Sequence, residues 1–452
     1  MKEQGQIMRL LRALTDSPGR TVLFTIALTI ILGTILLRVP AAQNTPISLI
    51  DCFFTATSST CVTGVLTVPF ESFSLFGKCI ILGLIQIGGI GLLTLWLFLV
   101  ALFFNLGIST KFMLGKILEL STFKNPRQIL FFIIRTTIIV ELVGAVCIYL
   151  LIKDQYAPWD AAFHAIFHSI SSFCMAGMSS FGSESLVPYS HNLPFLAVTS
   201  ILIMIGGIGF ITLHELFLFI KSRWEGRFFQ FSLTSKIILS MTAILILGAT
   251  LLLILLEGPS HFSDSPWWET LSNMLFNAIS YRSIGFTTID LDTMQTATIF
   301  LIMMYSFIGS SPVSTGSGIK VTTFAIFLAT IRAVINGRME VDIINRRVAQ
   351  DQIFKAMAVL SVSLVWITAS TFLLALVESH SSFISVFFEA VSSFTNLGLA
   401  TSITPTLTIA GKLIIIVNMF MGRVGILTLM LALRTPRERA EFHYPEERIM
   451  MS

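Results

Sequence analysis

Long apolar runs alternate with short polar ones along the whole chain. Hydrophobic stretches of membrane-crossing length lie at about 21–39, 76–104, 129–152, 194–220, 234–256, 296–331, 352–377 and 409–433, which predicts eight crossings. Between the members of each successive pair comes a different kind of segment. It is shorter, amphipathic and rich in Ser and Thr, and it ends on a glycine. The first reads TSSTCVTG and ends at Gly64; ISSFCMAG ends at Gly177, AISYRSIG at Gly285 and VSSFTNLG at Gly398. These glycines are 113, 108 and 113 residues apart, and ten residues before them stand Phe54, Phe167, Leu275 and Phe388. A second glycine echoes the first: Gly88, Gly309 and Gly422 follow by 24 residues and Gly206 by 29. Two registers kept in four places define an internal repeat.

Each unit therefore reads as helix, short half-helix with a turn, helix. The predicted fold class is an all-α polytopic membrane protein. Four parallel helix–pore-loop–helix repeats surround a central pore, giving eight transmembrane helices plus four re-entrant half-helices. The units span 21–104, 129–220, 234–331 and 352–433, with tails at 1–20 and 434–452. Two crossings per unit give every unit the same orientation, so the symmetry is a pseudo-fourfold axis along the membrane normal. Many secondary transporters are instead built from inverted units.

Composition agrees. Of 452 residues, 54% are hydrophobic and 12% charged, and the mean hydropathy is +0.84. A soluble globule could not hide that much apolar surface. The first stretch, TVLFTIALTIILGTILLRV, is too long for a signal-peptide core and lacks a small-residue cleavage site, so it is expected to remain. Of the 29 basic residues, 21 fall in the two tails and in 105–128, 220–237 and 332–355. Eight crossings put all five segments on one side, and the basic side is the cytoplasmic one. The net charge of +4 is thus a matter of topology and not a nucleic-acid surface. The opposite side carries Asp51, Glu71, Asp154, Asp160, Glu184, Glu257, Asp264, Glu269, Asp290, Asp292, Glu378 and Glu389. These acids either raise the local cation concentration or simply solvate the outer face. The five cysteines have neither metal-ligand spacing nor a disulfide framework. His164 and His168 lie one helical turn apart with no further ligand evident.

Backbone off the helix is tolerated at membrane depth only where it is buried in protein or lines a water-filled cavity. Four glycine turns around an axis can aim carbonyl oxygens inward, and a ring of carbonyls replaces the hydration shell of an alkali cation. The C-terminal ends of the half-helices add partial negative charge. Taken singly, each glycine would read as a packing residue; fourfold recurrence points to a filter. Below it, GSSPVSTGSG interrupts the apolar stretch 296–331, and Pro312 breaks an α-helix. At 1.5 Å per residue the second-glycine register lies about 20 Å down the second helix, near mid-membrane. Residues Gly309, Ser310, Ser311, Pro312, Val313, Ser314, Thr315, Gly316, Ser317 and Gly318 are the candidate gate, with a packing kink as the plainer reading. Arg423, one position after Gly422, is a charge inside an apolar span, a costly placement that is usually functional. It would either oppose cation leak or hold the loop by hydrogen bonds to its carbonyls; a structural tie to a neighbouring helix is the alternative. Arg282, three residues before Gly285, suits bracing the filter through carbonyls or an acid. Glu141 lies in an apolar helix on a different face from Arg135, and the pattern assigns it no role.

CVTG, YRSIGFTTID, GSSPVSTGSGIK and FMGRVGILTL together resemble the ion-conducting subunit of the Ktr/Trk/HKT potassium-transport superfamily, most of all the Ktr branch, over essentially the whole chain. The resemblance implies a channel-like, potassium-selective uptake pore in the cell membrane, with both termini cytoplasmic. It also implies a homodimer with one pore per protomer, a cytosolic ring of nucleotide-binding regulatory subunits, and sodium as an activator. Gly64, Gly177, Gly285 and Gly398 match the filter glycines. The filter backbone would come from Val62, Thr63 and Gly64; Met175, Ala176 and Gly177; Ser283, Ile284 and Gly285; and Asn396, Leu397 and Gly398. Two turns depart from the commoner family pattern: Met175 stands where Asn is frequent, and Asn396-Leu397 where Thr-Val is. The alternatives are a Trk-like or HKT-like transporter of weaker potassium/sodium selectivity, or a carrier for another solute, although a carrier would favour inverted repeats. No nucleophile, base and metal ligands group by sequence, so an enzyme is not expected. Potassium is the substrate the resemblance implies; no glycine-rich nucleotide-binding motif occurs, so any nucleotide control is expected from a partner, and no organic cofactor is expected in this chain. Membrane lipid is the expected surroundings, and the tail YPEERIMMS is implied to aid the dimer contact.

Overall fold

Each unit opens on one long helix. These are α1 (Pro18–Arg38), α4 (Pro126–Ile152), α8 (Leu233–His261) and α12 (Gln350–Val377), each long and apolar enough to cross a membrane unaided. A short helix follows each: α2 (Leu49–Cys61), α5 (Pro158–Phe173), α9 (Trp267–Ser280) and α13 (Phe383–Thr395). Then comes the second crossing: α3 (Leu75–Ile90) in the first unit and, in two pieces, α6 (Leu193–Gly207) with α7 (Phe210–Trp224), α10 (Thr296–Phe307) with α11 (Val321–Ile335), and α14 (Ile409–Val424) with α15 (Ile426–Leu433). A two-residue hairpin, β1 (Asp342–Ile343) on β2 (Arg346–Arg347), joins α11 to α12. The computed structural model describes residues 18–91, 126–182, 185–262, 265–433, 445 and 447. Most of both tails, residues 92–125, Glu184 and Asp264 lie outside the described residues, and with them much of the charge asymmetry.

Helix starts follow their sequence. The side chains of Ser48, Ser74, Asn192, Ser232, Ser382 and Thr408 each accept a hydrogen bond from the amide three residues on. Each satisfies one of the amides a helix start leaves free. Pro158 opens α5, where no amide donor is needed.

The apolar pattern suggests a second crossing interrupted only in the third unit. In the structure the leading helix ends within two residues of the second-register glycine in all four units, and a second helix resumes in units two, three and four; in the first, the residues beyond Gly91 lie outside the described ones. Gly91, Gly209 and Gly425 take φ values of 85°, 91° and 78°, a left-handed conformation that ends the helix. Each lies three positions beyond the second-register glycine, where the third unit has Pro312. Across the Gly209 break, α6 and α7 are bent by 107°.

The second-register glycines have a packing cause. A Cβ on Gly88 would collide with Thr60 O, on Gly206 with Phe173 O, and on Gly422 with Phe394 O. Each acceptor stands four residues before its own unit's turn glycine. The second helix thus lies directly against the end of the half-helix.

Among the described residues, four hydrophobic clusters each straddle one seam, and a small further one, Ala333 with Val341 and Val348, lies beside the hairpin. Ile81 and Phe73 pack with Phe167 and Phe173 between units one and two. Ile148 and Phe195 meet Ile246 and Phe276 between two and three. Leu253 and Ile302 meet Ile367 and Phe388 between three and four. Val386 and Met419 meet Ile30 and Phe54 between four and one, closing the ring. The apolar side chains fill the seams and leave the axis to the backbone of the turns.

Gly88→Ala, Gly206→Ala and Gly422→Ala are expected to destabilise the protein in detergent by about 1–3 kcal/mol each, the usual cost of overpacking. Gly83→Ala and Gly248→Ala are the controls, because a Cβ at either meets nothing within 4 Å. Thermal midpoints of the five variants check this; equal midpoints in the two sets would refute the close-approach account.

Candidate functional site

Three of the four half-helices end in the same way. Val62, Met175 and Asn396 adopt left-handed φ values of 58°, 62° and 52°, a conformation uncommon outside glycine. The next amides reach back five residues: Thr63 N donates to Ser58 O (2.8 Å), Ala176 N to Ser171 O (2.8 Å) and Leu397 N to Ser392 O (2.9 Å). This bonding closes a helix end and turns the chain away. The third turn differs. The amides of Ile284 and Gly285 both donate to Ser280 O (3.1 and 3.3 Å), and only Gly285 has positive φ (80°).

The hydroxyls that mark these segments have two tasks. Ser171 and Ser392 reach over the turn to the carbonyls of Met178 (2.8 Å) and Leu399 (2.6 Å), one residue past the glycine. Ser59, Ser172 and Ser393 bond back to the preceding helical turn. In the third unit Asn277 and Tyr281 do the bracing instead. Asn277 exchanges hydrogen bonds with Thr288, and the Tyr281 hydroxyl lies 3.0 Å from Thr287 Oγ1.

The four turns meet in cyclic order. A Cβ on Gly64 would land on Ala176 O, on Gly177 on Ile284 O, on Gly285 on Leu397 O, and on Gly398 on Thr63 O. Every glycine faces the carbonyl of the residue that precedes the next unit's glycine, and the fourth closes on the first. Thr63, Ala176, Ile284 and Leu397 are themselves fully buried. The sequence-predicted triplets 62–64, 175–177, 283–285 and 396–398 are therefore brought to one ring.

The loop 309–318 lies against this ring. It closes on itself through Gly309 N to Ile319 O (2.9 Å) and Ser310 N to Ser317 O (3.2 Å). Two further amides use the second unit: Ser311 N donates to Gly207 O (3.2 Å) and Thr315 N to Gly206 O (3.3 Å), while Phe210 N returns a bond to Val313 O (2.9 Å). Those carbonyls and that amide are free because the helix breaks at Gly209. The loop touches the turns as well. Thr315 Oγ1 donates to Phe173 O (2.9 Å), Ser317 N to Ser283 Oγ (3.3 Å), and Met175 Sδ fills the space beside Gly316. The Asn396 amide nitrogen, placed by its surroundings toward Ser393 O and Thr63 Oγ1, leaves its oxygen to accept from Ser317 Oγ (3.0 Å). Two of the positions that depart from the family pattern, Met175 and Asn396, thus pack against the loop.

Arg423 joins three units. Its Nη1 donates to Thr315 O (2.6 Å) and Ser317 Oγ (3.2 Å); its Nη2 donates to Gly88 O and, at 3.4 Å, to Gly89 O. The last two are terminal carbonyls of α3, where a cation is favoured. Arg282 Nη2 donates to Gly309 O (3.1 Å), the first residue of the loop, and not to a carbonyl of the ring. Sequence reasoning passed over Lys320, whose Nζ donates to Gly316 O (2.9 Å). The same rule that singled out Arg423, a charge within an apolar stretch, would have found it. The glycines at 91, 209 and 425 were equally visible, in GGIG, GGIG and GRVG. Beside the loop is a cavity of about 310 Å³, lined among others by Pro312, Val313, Lys320, Arg423 and Thr428.

Residues 12–442 match the model of the TrkH family, described as a cation transport protein. The chain is 34% identical over 439 residues to the Ktr system potassium uptake protein B of Bacillus subtilis, covering 95% of this chain and 96% of that one. It is 31% identical over 449 residues to the potassium/sodium uptake protein NtpJ of Enterococcus hirae, covering 96% and 97%. The crystal structure of the potassium transporter TrkH from Vibrio parahaemolyticus superposes with a TM-score of 0.71 at 19% identity, over 92% of this chain and 84% of that one.

Arg423→Ala is expected to release the loop. Amide exchange at Thr315 and Ser317, followed by mass spectrometry, should rise at least tenfold, the scale of losing hydrogen bonds from a charged donor. Unchanged protection there would show that the α6 carbonyls alone hold the loop.

Proposed function

The chain belongs to the TrkH family of cation transport proteins, and from that we propose that it carries potassium into the cell through a selective, channel-like pore on the axis of its four units. The observation that carries this reading is the cyclic contact of each turn glycine with the next unit's carbonyl. Such a ring presents backbone oxygens in place of the hydration shell of an alkali cation and needs no charged side chain to do so. Residues 62–64, 175–177, 283–285 and 396–398 form the filter. The loop 309–318 is the gate, and Arg423 holds it shut from below through Thr315 and Ser317. The adjoining cavity is the space into which the loop withdraws.

The pore lies in the cell membrane with both termini cytoplasmic, as the basic segments favour. The chain works as a homodimer with one pore per protomer, under a cytosolic ring of nucleotide-binding subunits. Sodium, which the name of the Enterococcus hirae relative pairs with potassium as a cation taken up, acts here as an activator. Any nucleotide control comes from the partner ring.

Rubidium uptake into proteoliposomes, with sodium as competitor, is the test. Wild-type uptake should resist excess sodium. Gly285→Ser should abolish that resistance, because its Cβ displaces Leu397 O in a backbone already at φ 80°. Sodium competing equally in the wild type would leave a weakly selective transporter. Uptake that saturates without following the electrochemical gradient would favour a carrier. In the same vesicles Arg423→Ala should raise basal rubidium flux about tenfold, as expected for loss of charge-assisted hydrogen bonds holding a closed state; flux at or below wild type would remove Arg423 from the gate.

A further inference from the structure

One intramembrane charge has no place in the account so far. Glu141 lies in the middle of α4 and is 8% exposed. Both its carboxylate oxygens are 3.0 Å from Gln86 Nε2, on α3 of the preceding unit. The Cys174 thiol, at the end of α5, points at Glu141 Oε1 (3.7 Å) and at Gln86 Oε1 (3.8 Å). Ser169 Oγ, further back on α5, donates to the Glu141 carbonyl (2.7 Å). No Lys, Arg or His takes part in this set among the described residues.

The set occurs at one seam only. At the Gln86 register the other units carry Met204, Phe307 and Phe420. At the same interval before the turn glycine as Glu141 they carry Leu28, Ala249 and Val362. Between units three and four, Phe307 and Val362 pack into a shared apolar cluster. Apolar contact is therefore enough to close a seam. A carboxylate and an amide at membrane depth, where ionisable groups are expensive and mark function, call for another reason.

The reason lies in what Cys174 holds. It immediately precedes Met175, Ala176 and Gly177. It has no freedom to shift toward α3, because a Cβ on Gly89 would strike its Sγ and Cβ. One turn beyond Glu141, α4 also presses on α5, where a Cβ on Gly144 would meet Ser169 Oγ. Displacement of Cys174 therefore passes along the chain to Ala176 O, the oxygen that abuts Gly64.

We propose that Glu141, paired with Gln86, is a positioning residue for ion selectivity. It fixes the second turn against the first through Cys174 and so sets where Ala176 O stands in the ring. This rests on the reading of the four turns as a filter. It assigns the 1–2 seam a directional hydrogen-bonded register that apolar side chains, free to slide, cannot supply.

Rubidium uptake with sodium as competitor, with thermal midpoints in parallel, is measured for wild type, Glu141→Leu, Gln86→Leu, both leucines together, and the exchange Glu141→Gln with Gln86→Glu. Each leucine variant should lower the rubidium-over-sodium preference about tenfold, the scale of a lost hydrogen bond to a charged group. The double leucine variant should lose no more than either single one, as coupled residues do. The exchange, which rebuilds the pair with its members swapped, should restore the wild-type preference. Leucine variants that are destabilised but still select as wild type overturn the proposal, as does an exchange no better than the single changes. Should the leucine variants not fold, Glu141→Gln alone decides, since it keeps the volume and loses one acceptor: unaltered preference overturns the proposal. A wild type without preference brings down the filter reading itself, an outcome distinct from a selective wild type with indifferent variants.

Discussion

At four places around its axis this protein has no room for a single carbon atom. Each turn glycine is where the next unit's carbonyl comes closest, and a side chain at any of them would drive that oxygen out of line. Glycine is required twice over, since positive φ is also imposed at Gly64, Gly177, Gly285 and Gly398. Everything outside the ring can be seen as the means of bringing four half-helix ends to that distance. The apolar clusters lie in the seams, where they draw neighbouring units together, and the second-register glycines let α3, α6 and α14 press on the half-helix ends from behind.

A structure built on interrupted helices must satisfy the backbone groups the interruptions expose, and no water is at hand in the bilayer core. Here one break serves another. The kink at Gly209 frees the carbonyls of Gly206 and Gly207 and the amide of Phe210, and the loop of the third unit takes all three. Arg423 and Lys320 cover carbonyls that remain, at Thr315, Gly316, Gly88 and Gly89. Such contacts make loop and ring one mechanical body: Ser317 touches Ser283 and Asn396, and Thr315 touches the end of the second half-helix. A change in the loop must therefore be felt in the ring.

The departures from fourfold symmetry concentrate on the third unit and on the seam between the first two. The third turn lacks the left-handed residue that opens the others, carries Arg282 where the first two have cysteine, and bonds the loop 309–318 through Ser283. The 1–2 seam carries the buried carboxylate. Fourfold architecture supplies the ring, and the exceptions lie at the loop and at the buried carboxylate beside it.

The repeat was legible in the sequence because backbone geometry leaves a mark that side-chain chemistry does not. A turn at positive φ admits few residues besides glycine, and that demand recurs at a fixed distance in every unit. The apolar runs, the half-helices and the interrupted crossing were legible for the same reason, being dictated by local backbone needs and by the length of a bilayer. A third glycine register was also written there in three units, though only its structural consequence, the end of a helix at positive φ, made it recognisable. What the sequence left open was who meets whom. Arg423 could have been a barrier to leak or a clamp; its contacts with a loop 106 and 108 residues away and with α3, 334 and 335 residues away, show which carbonyls it holds. Arg282 fits bracing in general, and only packing selects Gly309 O as its partner. Glu141 had no role until Gln86 and Cys174 stood beside it. Local conformation is set by a residue and its near neighbours, so the sequence determines it. Partners across a seam are chosen by how four units close on one another, and only the tertiary structure decides that.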